Sequence, residues 1–139
     1  MADKDIVLAK TSAVKKHLKR VEKLAGTSLA DFLGDRDVQD IVLFNIQLAV
    51  QNCIDIAAHI ISEDGLGVSG STNEMFYCLE ENGYIDSQLT EKMVKAVGLR
   101  NLIVHEYGKL DLKRVHHILQ EDLTDLDMFL KTIIQKLGV

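Results

Sequence analysis

The chain has 139 residues, no proline, two cysteines and a hydrophobic content of 47%, set against a net charge of −5. That length suits one domain with room for a real core, and the acidic balance argues against a passive coat for RNA or DNA while leaving room for a small, locally positive site. No stretch alternates with period two over a useful length, so the chain reads as all-α, a single domain over 1–139.

The first predicted helix runs over 4–25, where Val7, Val14, Leu18, Val21 and Ala25 recur at helical spacing and Gly26 offers a stop. Its outer face carries Lys15, Lys16, Lys19, Arg20 and Lys23. Such a strip can land RNA phosphates or simply solvate a helix, and the second is the more ordinary use. The N-terminus opens on Asp3, Lys4 and Asp5, so no secretory leader is expected.

After a connection over 27–35, a second helix is predicted over 36–62. It is apolar nearly all round: Ile41, Val42, Leu43, Phe44, Ile46, Leu48, Val50, Ile54, Ile56, Ile60 and Ile61. Such a helix must be covered on several sides, whereas a small bundle normally leaves one side wet. The excess predicts a homodimer with this helix at or near its seam. Asn45, Gln47, Gln51, Asn52 and Asp55 interrupt the run, so no membrane span is expected. Asn45, Asn52 and His59 repeat every seven residues, and Asp55 lies one turn before His59, close enough to hydrogen-bond along the helix. No third ligand accompanies them in sequence, so no metal site is expected. The line fits a satisfied polar ladder inside the bundle, or the lining of a cleft by Asn52, Asp55 and His59. Cys53 and Cys78 sit in apolar helical contexts and read as buried thiols of a reducing cytosol.

A connector rich in Gly, Ser and Thr covers 63–72. Thr72 or Asn73 then caps a short helix to about Glu81, and Asn82-Gly83 makes a turn. Asp86 or Ser87 caps a helix over about 88–106. On its wheel Leu89, Met93, Val97 and Val104 share one side, with Arg100 in their midst. An arginine on an apolar stripe is costly unless something anionic or polar meets it. His105 and Tyr107 follow, and Gly108 should end the helix. Asp111 can cap a last helix to about Leu137, with Val115, Leu119, Leu126, Phe129 and Ile133 inward and His116 and His117 on the surface. Four long helices and a short one predict an up-and-down four-helix bundle.

Arg100, His105 and Tyr107, with Asn101 following the arginine, form the pattern R-x-x-x-x-H-x-Y. The pattern resembles the signature of HEPN domains and, more narrowly, the HepT-like toxins of toxin–antitoxin pairs. Arg36-Asp37, the stretch Asp55-Ile56-Ala57-Ala58-His59, Phe76 with Leu79, and the segment from Met93 to Tyr107 extend the resemblance over roughly residues 1–135. It implies a compact homodimer with two copies of the motif across one cleft. It also implies a metal-independent endoribonuclease acting on RNA, including transfer RNA, with no cofactor. The implied partner is a nucleotidyltransferase antitoxin that transfers AMP onto Tyr107. The alternative is a non-catalytic HEPN-like module that binds nucleotide or RNA, or docks the partner, which the acidic net charge mildly favours.

The residue types suit the implied chemistry. Cleaving RNA without metal requires deprotonating a 2′-hydroxyl, protonating a 5′-oxygen and stabilising charge on phosphorus. Histidine changes charge near neutrality, so His105 is the candidate general acid or base, a role usually worth roughly 10²–10⁴-fold. Arg100 can hold the scissile phosphate bidentately. Asn101, four residues before His105, can orient substrate or imidazole, and Tyr107 can donate to a phosphate oxygen or position the ribose. Arg100 and His105 are nevertheless about 140° apart on an ideal helix. The Arg100 side chain must curl round, or the final turn must distort, or each site must borrow from both chains. The last is expected.

Overall fold

The computed structural model describes residues 2–67 and 70–139. Every regular element among the described residues is helical: α1 (Lys4–Glu22), α2 (Leu29–Gly34), α3 (Arg36–Glu63), α4 (Thr72–Glu81), α5 (Ser87–His105), a 3-10 turn (Tyr107–Lys109), α6 (Leu112–Glu121) and α7 (Thr124–Leu137). The starts are written in local chemistry. Asp3 accepts from the backbone N–H groups of Asp5 and Ile6, Asp35 from Asp37 and Val38, Asp86 from Leu89, and Asp111 from Lys113. Each carboxylate also sits where the helix dipole favours negative charge.

α3 is the axis of the molecule. By length and composition it could cross a membrane, but α1, α4, α5 and α7 pack around it, and Val42, Leu43, Ile46, Ala49, Val50, Cys53, Ile56, Ala57 and Ile60 are fully buried. α1 lies antiparallel along it, since Lys10 meets Asp55 and His17 meets Asn45. Val7, Val14, Leu18 and Val21 are its buried stripe, joined by Thr11. Burial pushes the Cys53 thiol strongly up from its ordinary range. Cys78 on α4 is half-buried, and its Sγ donates to the carbonyl of Leu66 at 3.6 Å.

Two elements depart from the sequence reading. The 27–35 connection contains α2, capped by Ser28 and anchored by the buried Phe32. The Gln39 amide closes its end by donating to the carbonyls of Phe32 and Leu33, at 2.8 and 3.2 Å. The last helix is two. At Asp122 the bonding switches to i→i+3 turns, Asp125 N–H to Asp122 and Leu126 N–H to Leu123, with no Gly or Pro to mark it. The break lets α6 dock on α2 while α7 docks on α3 and α5. In α7, Phe129 meets Phe76 of α4 edge-on at 5.7 Å. His116 is half-buried rather than a surface residue: its ring lies 5.6 Å from that of Phe32 and its Nε2 bonds the Thr27 carbonyl at 2.8 Å.

In the α3–α4 connector, Val68 and Ser69 fall outside the described residues. Ser71, one residue earlier than expected, caps α4. Tyr84, past the Asn82-Gly83 turn, donates to Asp64 at 2.6 Å, and the Lys136 ammonium lies 5.8 Å from its ring centre. The ends of α3 and α7 are thereby tied to the turn between α4 and α5.

Candidate functional site

α5 brings Arg100, Asn101 and His105 to its C-terminal end. The helix stays regular through His105, and the Glu106 N–H closes it on the Leu102 carbonyl. The distorted final turn is therefore not used, and the angular separation of Arg100 and His105 stands. Arg100 is half-buried, and its Nε is closed off from solvent without a hydrogen-bond acceptor among the described residues. Its Nη1 donates to Asn101 Oδ1 at 3.0 Å. Asn101 thus steers the guanidinium rather than the imidazole. His105 is exposed on the last turn, with its ring free to meet a ligand. Leu89, Met93 and Val97 are buried as expected, but the stripe closes on Ile103, and Val104 is 40% exposed.

Tyr107 leaves the helix and sits in the 3-10 turn. Its hydroxyl donates to Asp40 Oδ1 on α3 at 3.0 Å, and Arg36 Nε lies 3.6 Å from the same oxygen. Partial removal from water, the Asp40 hydrogen bond and the Asp40 charge raise the Tyr107 phenol above its ordinary value, against a smaller lowering by Arg36. Asp40 escaped the sequence reading, because nothing local links two positions 67 residues apart.

The polar line of α3 resolves differently. Asn45 is buried and paired to His17 at 2.9 Å, while its amide donates to the Ile41 carbonyl; Asn52 donates to that of Leu48. The expected Asp55–His59 bond is not made. Asp55 takes Lys10 at 3.2 Å and Gln51 at 2.9 Å, and His59 Nε2 accepts the Asp3 backbone N–H at 3.0 Å. These partners come from α1 and its cap, and they outcompete a bond along one helix. Counted from Asp40, Asp55 and His59 lie about 22 and 28 Å along α3, so the structure does not bring them or Asn52 to the motif. Among the described residues no third donor joins them to hold a metal ion.

Beside the motif, α3 keeps Ile41 and Phe44 exposed at 46% and 55%. They line an open concavity of about 620 Å³ with Asp40, Asn45, Leu24, Arg20 and Lys23. Arg20 and Lys23 continue into a second groove with Lys15, Lys16 and Lys19.

The family described as Ribonuclease HepT-like matches residues 14–133. The mRNA nuclease HepT of Shewanella oneidensis is 36% identical over 129 residues, covering 93% of this chain and 96% of that one. The tRNA nuclease HepT of Aphanizomenon flos-aquae is 28% identical over 128 residues, 92% of this chain and 87% of the other. A solved structure of the tri-AMPylated Shewanella oneidensis HEPN toxin, in complex with its MNT antitoxin, superposes with a TM-score of 0.89 at 34% identity, over 96% of this chain and 99% of the toxin.

Proposed function

The chain belongs to the HepT-like ribonuclease family, and from that premise we propose that it is the toxin of a toxin–antitoxin pair, a metal-independent endoribonuclease restrained by a nucleotidyltransferase antitoxin. The observation that carries this reading is the state of Arg100. A half-buried cation, with one donor closed off and unmatched among the described residues, favours an anion that brings its own acceptors. A phosphodiester does so.

In this reading Arg100, steered by Asn101, grips the scissile phosphate, and His105 moves the proton to or from the ribose oxygens. One histidine cannot serve both oxygens at once, and Arg100 and His105 diverge on α5. A two-fold axis that sets two α5 ends across one cleft supplies what a single chain lacks. The exposed Ile41, Phe44 and Val104, beside Asp40 and Tyr107, are the surface that such a seam would cover. RNA, transfer RNA among the candidates, is the substrate. Arg20 and Lys23 of the α1 face line the same concavity as Asp40 and, with Lys15, Lys16 and Lys19 of the adjoining groove, are placed to meet its flanking phosphates.

The antitoxin is proposed to silence the chain by transferring AMP onto Tyr107. Support comes from the tri-AMPylated state of the Shewanella oneidensis toxin and from the 44% exposure of Tyr107 here. The decisive experiment incubates purified dimer with total RNA, with and without EDTA. Arg100→Ala and His105→Ala should fold normally and lose roughly 10²–10⁴-fold in cleavage. Full cleavage by a clean His105→Ala protein overturns the assignment, and binding without new fragments by the unmutated chain makes it a module rather than an enzyme.

A further inference from the structure

We propose that Asp40 is the catalytic base for nucleotidyl transfer onto Tyr107, a role the toxin itself supplies to the antitoxin's reaction. The inference rests on the reading that Tyr107 is the modified residue. It starts from one contact: the Tyr107 hydroxyl donates its proton to Asp40 Oδ1 at 3.0 Å, within the reach a general base needs.

A phenol attacks phosphorus well only as its proton leaves. In the step, the Tyr107 Oη forms a bond to the α-phosphorus of a nucleoside triphosphate brought by the antitoxin. The bond from that phosphorus to the bridging oxygen breaks, and pyrophosphate departs with the electron pair. The Oη proton passes to Asp40 Oδ1 along the hydrogen bond already present. Desolvation and the Asp40 contact hold the phenol above its ordinary range, so little phenolate exists in advance near neutrality and a nearby acceptor matters.

The surroundings fit that task. In the single chain the side chain of Asp40 is 54% exposed and Tyr107 is 44% exposed, which leaves both open to a nucleotide beside, rather than under, the proposed seam. The carboxylate next to Tyr107 in sequence, Glu106, is engaged by Lys109 at 3.3 Å. Arg36 Nε stands 3.6 Å from Asp40 Oδ1, and the same guanidinium acts to lower the Tyr107 phenol, so positive charge lies near the phenol oxygen that the phosphorus must approach. Base, nucleophile and cation come from two elements, the start of α3 and the turn after α5, which fix their relative positions before any partner arrives.

The test mixes the full chain with its antitoxin, ATP and Mg²⁺, and follows adenylate on Tyr107 by mass spectrometry in a single turnover. Asp40→Asn keeps an acceptor oxygen at the same place but removes the base; Asp40→Ala removes both. Asp40 is exposed, so both variants should melt like the parent and still bind the antitoxin, which the same samples check. Both are expected to transfer AMP roughly 10²-fold more slowly, with Asp40→Glu recovering much of the rate. Near-parent transfer by Asp40→Asn, with only Asp40→Ala slow, makes Asp40 a positioning residue and overturns the proposal. So does full-rate transfer by both. Absence of adenylate on Tyr107 of the parent chain overturns the underlying reading first, a failure plainly distinct from the other two.

Discussion

Arg100 shows how much of a site can lie in one side chain's surroundings. Its side chain is half-buried near the end of α5, while Asn101 holds one terminal nitrogen at 3.0 Å and so restricts where the fork points. Removing that restraint should cost orientation rather than stability. Asn101→Ala is expected to melt within about 0.5 kcal/mol of the parent, because the residue is exposed. It should lose about tenfold in kcat/KM for RNA, the loss of one aligned charge-assisted bond of about 1.4 kcal/mol. Cleavage kinetics beside a thermal melt would check both halves, and unchanged kinetics would remove Asn101 from the site. At this scale sequence periodicity serves well for Arg100, whose place on an apolar stripe is a matter of counting. It misses Asp40 because the Tyr107 bond spans 67 residues. It also misassigns Asp55 and His59, whose i,i+4 spacing permits a bond that Lys10 and the Asp3 backbone take away.

At the scale of elements, helix starts are legible because caps are local, and the long helices follow from apolar spacing. What sequence hides is tertiary. α2 has six residues, too few to stand alone, and persists because Phe32 is buried and Gln39 closes its carbonyls. The α6–α7 break has no glycine or proline and exists because two docking sites demand two helix directions. The Tyr84 tie is of the same kind, and it carries a pH signature. The Tyr84 hydroxyl holds the Asp64 carboxyl below its ordinary 3.8, and Asp64 pushes the Tyr84 phenol up to about 12. A depressed carboxyl adds stability that is present above pH 3.8 and is lost as pH falls through its folded value. The raised phenol adds stability present below pH 10 and lost as pH rises through about 12. Both describe one hydrogen bond, worth about 1 kcal/mol. Tyr84→Phe should therefore lower the unfolding free energy at pH 7 by that amount, seen as a lower urea midpoint. It should also flatten the decline below about pH 4, where the parent loses the advantage anyway. Equal midpoints for the two proteins at pH 7 would deny the tie any role.

For the whole molecule, the unresolved demand is α3. Its inner side is buried along the bundle, yet Ile41 and Phe44 remain exposed beside the motif. Covering them in a homodimer would also bring two motif ends together, so assembly and activity should be lost as one. Phe44→Asp is expected to leave the isolated fold nearly as stable as before, because the ring already faces water. It should shift the sedimentation profile to monomer and abolish RNA cleavage together. A variant that remains dimeric and fully active would move the seam elsewhere. The all-α bundle was open to reading from composition and period alone, whereas which outward face of α3 is sticky required knowing which faces its neighbours cover.

The two sulfurs give this architecture a built-in clock. Cys53 is sealed at the centre of α3, while Cys78 sits half-buried against the Leu66 carbonyl. A coloured disulfide reagent should therefore titrate one thiol per chain in native buffer, and the second only as urea opens the core. The interval between the two colour changes would time how rarely the innermost helix breathes, and simultaneous reaction would show that it breathes often.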